Sequence, residues 1–505
     1  MYQVLIQNGE QDLSFPAVPG ESFLALLQRA GFSLSAPCGG QGRCGKCRLL
    51  LQEDGKVREI LACQTPVEHD CTVILEEQQG GSIVAEAGQK LSSAGGKTGF
   101  GAALDLGTTT MVLELLDLSR GKSMGIAAAW SALAPYGADV ITRCQYCMTH
   151  KDGALILSGI LRKQTASLLR SLGFDPEEIT KLFVAGNTVM QHLYAGIDPS
   201  PISLAPFTPP TLFAGSPSEP GISYAPCVAG YVGGDITAGL LVSSLAERTG
   251  CHLFLDVGTN GEMALGGREG FLCCAVASGP AFEGAGISCG MPGLPGAISR
   301  VRWTGAAPEY EVIGGGTASG LCGSGLIDLL AVLCDRKIIS GSGLLLSPEE
   351  APEEAFRFLG EDENGNGIFY LTEERRVFLT ASDVRQLQLA KAAVAAGICV
   401  LLKRNGLSPE DVDSLSLAGG FGSFLSVESA VKIGMLPAAF LGKTRVLGNA
   451  SLAGARTALL DPASRKKLCD LQHSCRYIEL SGDADFNTEY TDQLYFYEED
   501  EDEWN

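Results

Sequence analysis

The chain has 505 residues, more than one compact core usually supports, so two or three domains are expected. Hydrophobic residues make up 45% of it and there are 64 glycines, a composition typical of an ordered, loop-rich α/β protein. The formal net charge is −21, whereas a nucleic-acid partner requires a basic surface. We therefore expect no nucleic acid among its partners.

The N-terminus has neither a basic start nor a small-residue cleavage site, and no segment is apolar for long enough to predict a membrane span. The 17 cysteines, in a chain without an export signal, favour reduced thiols and metal ligation over a disulfide framework. These features predict a cytoplasmic protein.

Residues 1–79 predict a small β-rich domain. Residues 2–7 and 13–17 alternate like a hairpin, residues 22–30 have helical periodicity, and two more strands are predicted at 48–52 and 72–76. Between the helix and the next strand lie three cysteines spaced C-x5-C-x2-C, and a fourth follows after fifteen residues. These four are Cys38, Cys44, Cys47 and Cys63.

Four thiolates are the ligand set of a [2Fe–2S] cluster, and the glycines around the first three let the backbone wrap closely around it. Zinc also takes four cysteines, but usually from two paired knuckles rather than one shared loop. The spacing therefore favours the cluster, with zinc as the alternative. The cysteine spacing resembles that of the adrenodoxin-like branch of the β-grasp ferredoxins. Residues 80–99, rich in glycine and serine, predict a flexible linker.

Two later segments, about 150 residues apart, share one design. Residues 104–110 read Leu-Asp-Leu-Gly-Thr-Thr-Thr, and residues 255–261 read Leu-Asp-Val-Gly-Thr-Asn-Gly. In each, an apolar strand ends at an aspartate, a glycine follows two residues later, and a second strand returns. Such turns bring backbone N–H groups to phosphate oxygens, and the aspartate can hold Mg²⁺ through its waters. Two copies predict a duplicated fold that binds phosphates between its halves.

Three further segments complete an ordered set. Residues 233–239 contain Asp235 and precede the second turn, residues 417–422 form a glycine-rich loop after a strand, and residues 448–454 are mostly small. The five segments together resemble the actin, sugar-kinase and heat-shock-chaperone ATPase superfamily. The resemblance implies a multidomain protein, in which a β-grasp [2Fe–2S] ferredoxin domain precedes a duplicated ribonuclease-H-like α/β ATPase.

The resemblance also implies roles for single residues. Asp105 and Asp256 would hold Mg²⁺, while Asp235 would orient or deprotonate the nucleophile. The residues expected to bind ATP are Gly107, Thr108, Thr109, Thr110, Gly258, Thr259, Asn260 and Gly261 in the two turns, and Gly419, Gly420, Phe421 and Gly422 in the adenosine loop.

Other segments carry weaker expectations. Arg385, Gln388 and Lys391 recur every three residues and predict one helix face. That face is either a solvated surface with salt links, which we favour, or a cationic stripe that contacts nucleotide phosphates or an acidic partner. The glycine-rich loops at 278–285 and 320–325 are placed to line the cleft, but their composition does not say what they contact. Cys144 and Cys147 are predicted to be buried helix cysteines, and His192 a core histidine.

The cluster domain, short linker and ATPase together resemble the reductive activators of corrinoid proteins over nearly the whole chain. The resemblance implies an ATP-hydrolysing iron–sulfur oxidoreductase that passes an electron to the Co(II) corrinoid of a methyltransferase-system partner, restoring Co(I). Its implied cofactors are a [2Fe–2S] cluster, ATP and Mg²⁺. Its implied partners are that corrinoid protein and a low-potential electron donor, with no membrane, and a homodimer is one of the open oligomeric states.

Two other functions remain open: a chaperone-like reactivation or assembly factor with a redox-sensing cluster, and a kinase with a fused ferredoxin domain. Some relatives carry a middle domain between linker and ATPase, for which we expect no room here. The expected boundaries are 1–79 for the ferredoxin-like domain, 80–99 for the linker, 100–250 and 251–485 for the two ATPase lobes, and 486–505 for an acidic tail.

Overall fold

The computed structural model describes residues 2–7, 12–30, 47–53, 56–75, 99–215, 219–420, 422 and 424–496. The predicted linker at 80–99 therefore lies outside the described residues, apart from Gly99. Two of the four expected cluster ligands, Cys38 and Cys44, lie outside them as well, as does Phe421 of the adenosine loop.

The first domain is a five-stranded mixed sheet with a helix against it. Its elements are β1 (Tyr2–Gln7), β2 (Asp12–Ala17), α1 (Phe23–Arg29), β3 (Arg48–Glu53), β4 (Lys56–Leu61) and β5 (Cys71–Ile74). The strand order is β2-β1-β5-β3-β4, with β1 and β5 parallel and the other pairs antiparallel. Apolar residues of α1, among them Phe23 and Leu26, share one core with Val4 and Ile6 of β1. This is the expected β-grasp arrangement.

The first ATPase lobe is built on a second five-stranded sheet. Its elements are β6 (Phe100–Leu106), β7 (Thr110–Asp117), β8 (Lys122–Trp130), α2 (Val140–Thr149), α3 (Gly153–Ser171), β9 (Ile179–Gly186), α4 (Thr188–Ala195), β10 (Ile222–Tyr224) and α5 (Gly234–Ser243). The strand order is β10-β9-β6-β7-β8. Strands β6, β7 and β8 form an antiparallel meander, whereas β9 and β10 extend the sheet in parallel to β6.

The second lobe repeats this order and adds to it. Its elements are β11 (His252–Val257), β12 (Gly261–Gly267), β13 (Gly270–Val276), β14 (Ala297–Thr304), β15 (Ala307–Val312), β16 (Gly320–Leu321), α6 (Gly323–Asp335), β17 (Leu359–Glu361), β18 (Gly367–Tyr370), β19 (Phe378–Thr380), α7 (Ala381–Asn405), β20 (Ser414–Ala418), α8 (Val427–Lys432), β21 (Thr444–Gly448), α9 (Ala450–Leu460), α10 (Pro462–Ser474), β22 (Cys475–Tyr477) and α11 (Ala484–Asp492).

Strands β13-β12-β11-β20-β21 follow the pattern of β8-β7-β6-β9-β10, and β22 is added at the edge beside β13. Two three-stranded sheets, β15-β14-β16 and β17-β18-β19, are inserted between β13 and α7. The repeated strand order confirms the predicted duplicated ribonuclease-H-like fold.

Helices α5 and α9 lie between the two large sheets. Ala238 of α5 packs in one core with strands of the first lobe, while Ile236 and Leu240 pack with strands of the second. A Cβ on Gly454 of α9 would lie 2.3 Å from the carbonyl oxygen of Ala238, far inside van der Waals contact. The glycine therefore permits the close helix contact that the small residues at 448–454 predict.

Helix α7 differs from two expectations, one about membrane-spanning segments and one about the face that carries Gln388 and Lys391. It is long and apolar enough to span a bilayer by composition, but 78% of its apolar window is buried, so it is a core helix of the second lobe. Gln388 and Lys391 are 2% and 0% exposed, whereas Arg385 is exposed, so the three side chains form neither a solvated face nor a cationic stripe. Their side chains donate hydrogen bonds to the carbonyl oxygens of Leu494 and Tyr495.

The expected start of the acidic tail at 486 is therefore too early. Helix α11 packs against α7, and Phe496 belongs to the main core of the second lobe. Residues up to 496 are part of the folded ATPase, and the acidic run at 498–503 lies outside the described residues.

Candidate functional site

A cleft of about 440 Å³ lies between the two lobes. Both predicted phosphate turns open onto it. In the first turn, β6 and β7 are joined so that Leu106 pairs with Met111, and Gly107, Thr108, Thr109 and Thr110 line the cleft. In the second turn, Val257 pairs with Gly261, and Gly258, Thr259 and Asn260 line the cleft. Gly261 itself is not among the lining residues, because it is already the buried first residue of β12.

The two turns touch each other. The hydroxyl oxygens of Thr109 and Thr259 are 3.1 Å apart, although the residues are 150 positions apart in the chain. The carboxylate of Glu283 accepts a hydrogen bond from each hydroxyl, at 2.8 Å from Thr109 and 3.1 Å from Thr259. Glu283 comes from the loop at 278–285, so that loop does contact the site.

Five carboxylates converge in the cleft: Asp105, Asp235, Asp256, Glu262 and Glu283. The pKa of Asp235 is raised to about 7, mainly by burial and secondly by the charge of Asp105. Burial followed by the charges of Asp235, Asp105 and Glu283 raises the pKa of Asp256 to about 8. In both cases the larger cause is the loss of solvation, which disfavours the charged form, and the repulsion between neighbouring anions adds to it.

This cluster is suited to a cation. No lysine or arginine is among the cleft-lining residues in the described part of the chain. Across those same ranges, no three histidine, cysteine, aspartate or glutamate side chains are grouped closely enough to bind one metal ion directly. Carboxylates that surround a cation at a distance contact it through its waters, which is how Mg²⁺ is commonly held. The residues therefore fit a hydrated Mg²⁺ beside a triphosphate.

Asp105 is also held by the helix at the lobe boundary. The side-chain amide of Asn449, at the N-terminus of α9, donates a 2.8 Å hydrogen bond to Asp105, while its oxygen caps the helix at the N–H of Leu452. Burial raises the pKa of Asp105, and hydrogen bonding at this helix end partly offsets the rise. Asn449 thus fixes one carboxylate of the site relative to α9.

The adenosine loop follows β20. Gly419 has φ +90°, and a Cβ there would lie 2.5 Å from an Asp256 carboxylate oxygen, so only glycine fits. Gly419 and Gly420 line the cleft, and open space surrounds the Cβ position of Gly420. Gly422 is buried behind them and is not among the lining residues.

The structure thus brings together all three predicted catalytic aspartates and nine of the predicted nucleotide-binding residues. Sequence reasoning missed six polar residues of the cleft: Asn187, Glu262, Glu283, Ser299, Asn449 and Ser451. Four of them lie inside or next to the quoted segments, so proximity to those segments was the available signal. The loop at 320–325 also contributes, through Cys322, Gly323 and Ser324.

In the first domain, the sulfur atoms of Cys47 and Cys63 are 3.2 Å apart, and neither residue forms a disulfide. Cys47 immediately precedes β3, and Cys63 follows β4. Two ligands of one iron must lie side by side, so this pair fits half of the expected [2Fe–2S] ligand set.

The cysteines predicted to be structural are buried as expected. Cys144 and Cys147 lie in α2, and burial raises the pKa of each thiol to about 12, which makes them poor ligands and nucleophiles. His192 is fully buried and hydrogen-bonded to the carbonyl oxygen of Thr188, as a core histidine.

Models of known protein families match three successive segments of the chain. A family model described as the 2Fe-2S iron-sulfur cluster binding domain matches residues 6–68, one described as the RACo middle region matches 100–248, and the C-terminal ASKHA domain of RACo matches 250–505. The middle region coincides with the first lobe, which carries the first phosphate turn, so it is not an additional domain before that lobe.

The corrinoid activation enzyme RamQ of Eubacterium limosum is 28% identical, over 91% of this chain and 93% of its own. The [Co(II) methylated amine-specific corrinoid protein] reductase of Methanosarcina barkeri is 23% identical, over 79% and 77%. A solved structure of a reductive activator for a corrinoid, iron-sulfur protein aligns with a TM-score of 0.71 at 30% identity, over 98% of both chains. This chain belongs to the RACo family, with a [2Fe–2S] domain, a middle region and an ASKHA-type ATPase domain in that order.

Proposed function

We propose that this chain is an ATP-dependent reductive activator, which passes an electron from its [2Fe–2S] cluster to the Co(II) corrinoid of a partner protein and restores Co(I). The observation that carries the proposal is the alignment with the solved reductive activator over 98% of both chains. The thiol pair in the first domain and the two-turn cleft in the ATPase supply the two chemistries that such a reaction needs.

In the ATPase, the turns at 107–110 and 258–261 bind the β- and γ-phosphates through backbone N–H groups and threonine hydroxyls. Asp105 and Asp256 hold hydrated Mg²⁺ between the lobes. Asp235, in the first turn of α5, orients or deprotonates the attacking water. Gly419 and Gly420, which line the cleft, form part of the surface on which the adenosine lies, and Phe421 and Gly422 follow them in the same loop.

In the first domain, Cys38, Cys44, Cys47 and Cys63 hold the cluster. When bound, a [2Fe–2S] cluster supplies one-electron transfer, near about −400 mV in plant-type ferredoxins. Transfer to a cobalt centre of lower potential is uphill, so the binding free energy of ATP must shift the balance. The structural element available for that shift is the α5–α9 contact, because both helices touch both lobes.

The partners follow from this assignment. The substrate is the corrinoid protein of a methyltransferase system, and a low-potential electron donor reloads the cluster. We further propose a cytoplasmic location, with no nucleic acid or membrane among the partners; a homodimer is one of the open oligomeric states.

The test is anaerobic. The reduced, cluster-loaded protein is mixed with a purified Co(II) corrinoid protein, with and without Mg-ATP, and the absorbance of Co(I) is followed. We expect Co(I) to accumulate only with Mg-ATP. ATP hydrolysis stimulated by a small-molecule acceptor would instead support a kinase. Partner remodelling that persists in a Cys63→Ser variant would support a chaperone-like factor, and either result would replace the proposal.

A further inference from the structure

Glu283 lies where the nucleotide's terminal phosphate is expected. Its side chain is half-buried in the cleft, and one of its carboxylate oxygens, Oε2, accepts hydrogen bonds from the hydroxyls of both Thr109 and Thr259. Each threonine hydroxyl has one proton to donate. If both protons point at Glu283, the 3.1 Å separation of the two hydroxyl oxygens is contact without a hydrogen bond.

A phosphate oxygen bound by both turns would need these same two protons. It would therefore have to take the position that Oε2 of Glu283 occupies. Two anions cannot share that position, because a pair of charges about 4 Å apart costs roughly 1 kcal/mol in water and about 4 kcal/mol in a partly buried site. A nucleotide whose phosphate reaches between the turns must displace the carboxylate.

We infer that Glu283 is an internal competitor for the γ-phosphate and the residue by which the cleft distinguishes ATP from ADP. The inference rests on the proposed use of ATP. In the empty or ADP-filled cleft, Glu283 joins the two turns through Thr109 and Thr259. When ATP binds, the hydroxyls donate to the phosphate instead, and the carboxylate leaves its position. No covalent bond changes in this exchange.

The loop that carries Glu283 is anchored at its other end. The backbone N–H and the hydroxyl of Ser288 both donate to the carboxylate of Asp383, at 2.8 and 3.2 Å, in the first turn of α7. Displacement of Glu283 therefore acts on a short segment, residues 279–290, held between the phosphate turns and the start of a core helix. This segment is where the exchange should be detectable.

The first test measures binding, not turnover. Glu283→Gln keeps the side chain's size and its acceptor oxygen but removes the charge. We expect its affinity for a Mg-bound, non-hydrolysable ATP analogue to rise about tenfold or more, a change of about 1.4 kcal/mol, with ADP affinity altered less than about twofold. Glu269→Gln, on the exposed turn between β12 and β13, is the control and should match the wild type.

If Glu283→Gln binds the ATP analogue no more tightly than the wild type, the inference is wrong. If its affinity for the analogue falls, Glu283 instead helps to bind the metal or the phosphate. An equal gain for ADP would remove the proposed discrimination. Wild-type protein that binds no adenine nucleotide would end the proposed function as well, so the two failures are distinguishable.

A second test needs no variant. Hydrogen–deuterium exchange of the wild-type protein should show faster exchange in residues 279–290 with the ATP analogue than with ADP. Equal protection of that segment in both states would contradict the exchange of hydrogen bonds described above.

Discussion

The two phosphate turns have the same local design but different surroundings. Asp105 of the first turn accepts a hydrogen bond from Asn449, whereas Asp256 of the second turn is surrounded by the charges of Asp235, Asp105 and Glu283. Both aspartates are half-buried, but only for Asp105 does hydrogen bonding partly offset the rise in pKa that burial causes. A duplicated turn therefore yields one carboxylate that is fixed by a helix and one whose pKa is raised by burial and by neighbouring anions.

Among the cleft carboxylates, Asp235 should have the largest effect on turnover. Asp235 lies at the start of α5 and lines the cleft with both aspartates. We expect Asp235→Asn to lower ATP hydrolysis by about 10²- to 10⁴-fold, the usual contribution of a positioned general base. Nucleotide affinity, measured by calorimetry, should change little. Hydrolysis at the wild-type rate would exclude this role.

The helices between the two lobes, α5 and α9, are in close contact at Gly454. Gly454→Ala places a methyl group against the backbone of Ala238, which cannot rotate away. We expect a loss of about 1–3 kcal/mol in the free energy of unfolding, measured with denaturant. Gly159→Ala in α3, with open space around the Cβ position, is the control and should gain about 0.5–1 kcal/mol. Equal stabilities for the two variants would contradict the packing argument.

The different surroundings of the two aspartates can be compared directly. In metal-free buffer at about pH 8.5, Asp256→Asn removes one of several repelling charges, so we expect its melting temperature to rise by about 2–4 °C. Asp105→Asn removes a charge-assisted hydrogen bond from Asn449, so its melting temperature should not rise. A similar rise in both variants would show that the two sites are electrostatically equivalent.

The smallest effect concerns pH. Folding raises the pKa of Asp235 to about 7 and of Asp256 to about 8, so between about pH 4 and pH 8 the folded state binds more protons than the unfolded state. The stability from these protonated groups is present at low pH and is lost as pH rises through 7 and 8. Without Mg²⁺, the melting temperature should fall from pH 6.5 to 8.5, and less steeply in Asp256→Asn. A flat profile in both proteins would contradict the shifts.

Elements with strong local signals were predictable from sequence. Strand β1 was placed at its observed bounds, and both turns were found because a glycine-containing turn between apolar strands is a local pattern. Strand β4 was missed because its first four residues are exposed on the edge of the sheet and show no alternation.

Contacts between distant residues were not predictable. Glu283 is hydrogen-bonded to Thr109, 174 positions away in the chain, and Asn449 to Asp105, 344 positions away. Composition alone could not pair them. Lys391 was taken as a surface or phosphate-binding charge, because nothing in its helix indicates that Tyr495 covers it. The sequence therefore predicts the two halves of the site, while the structure shows what joins them.

In the proposed reaction, one chain uses ATP at its cleft to drive an electron from its cluster to cobalt. The most direct measurement follows Co(I) formation and phosphate release together in one anaerobic reaction, for the wild type, Asp235→Asn and Cys63→Ser. We predict both products with the wild type, neither with Asp235→Asn, and phosphate without Co(I) with Cys63→Ser. Full-rate Co(I) formation by either variant would contradict the coupling.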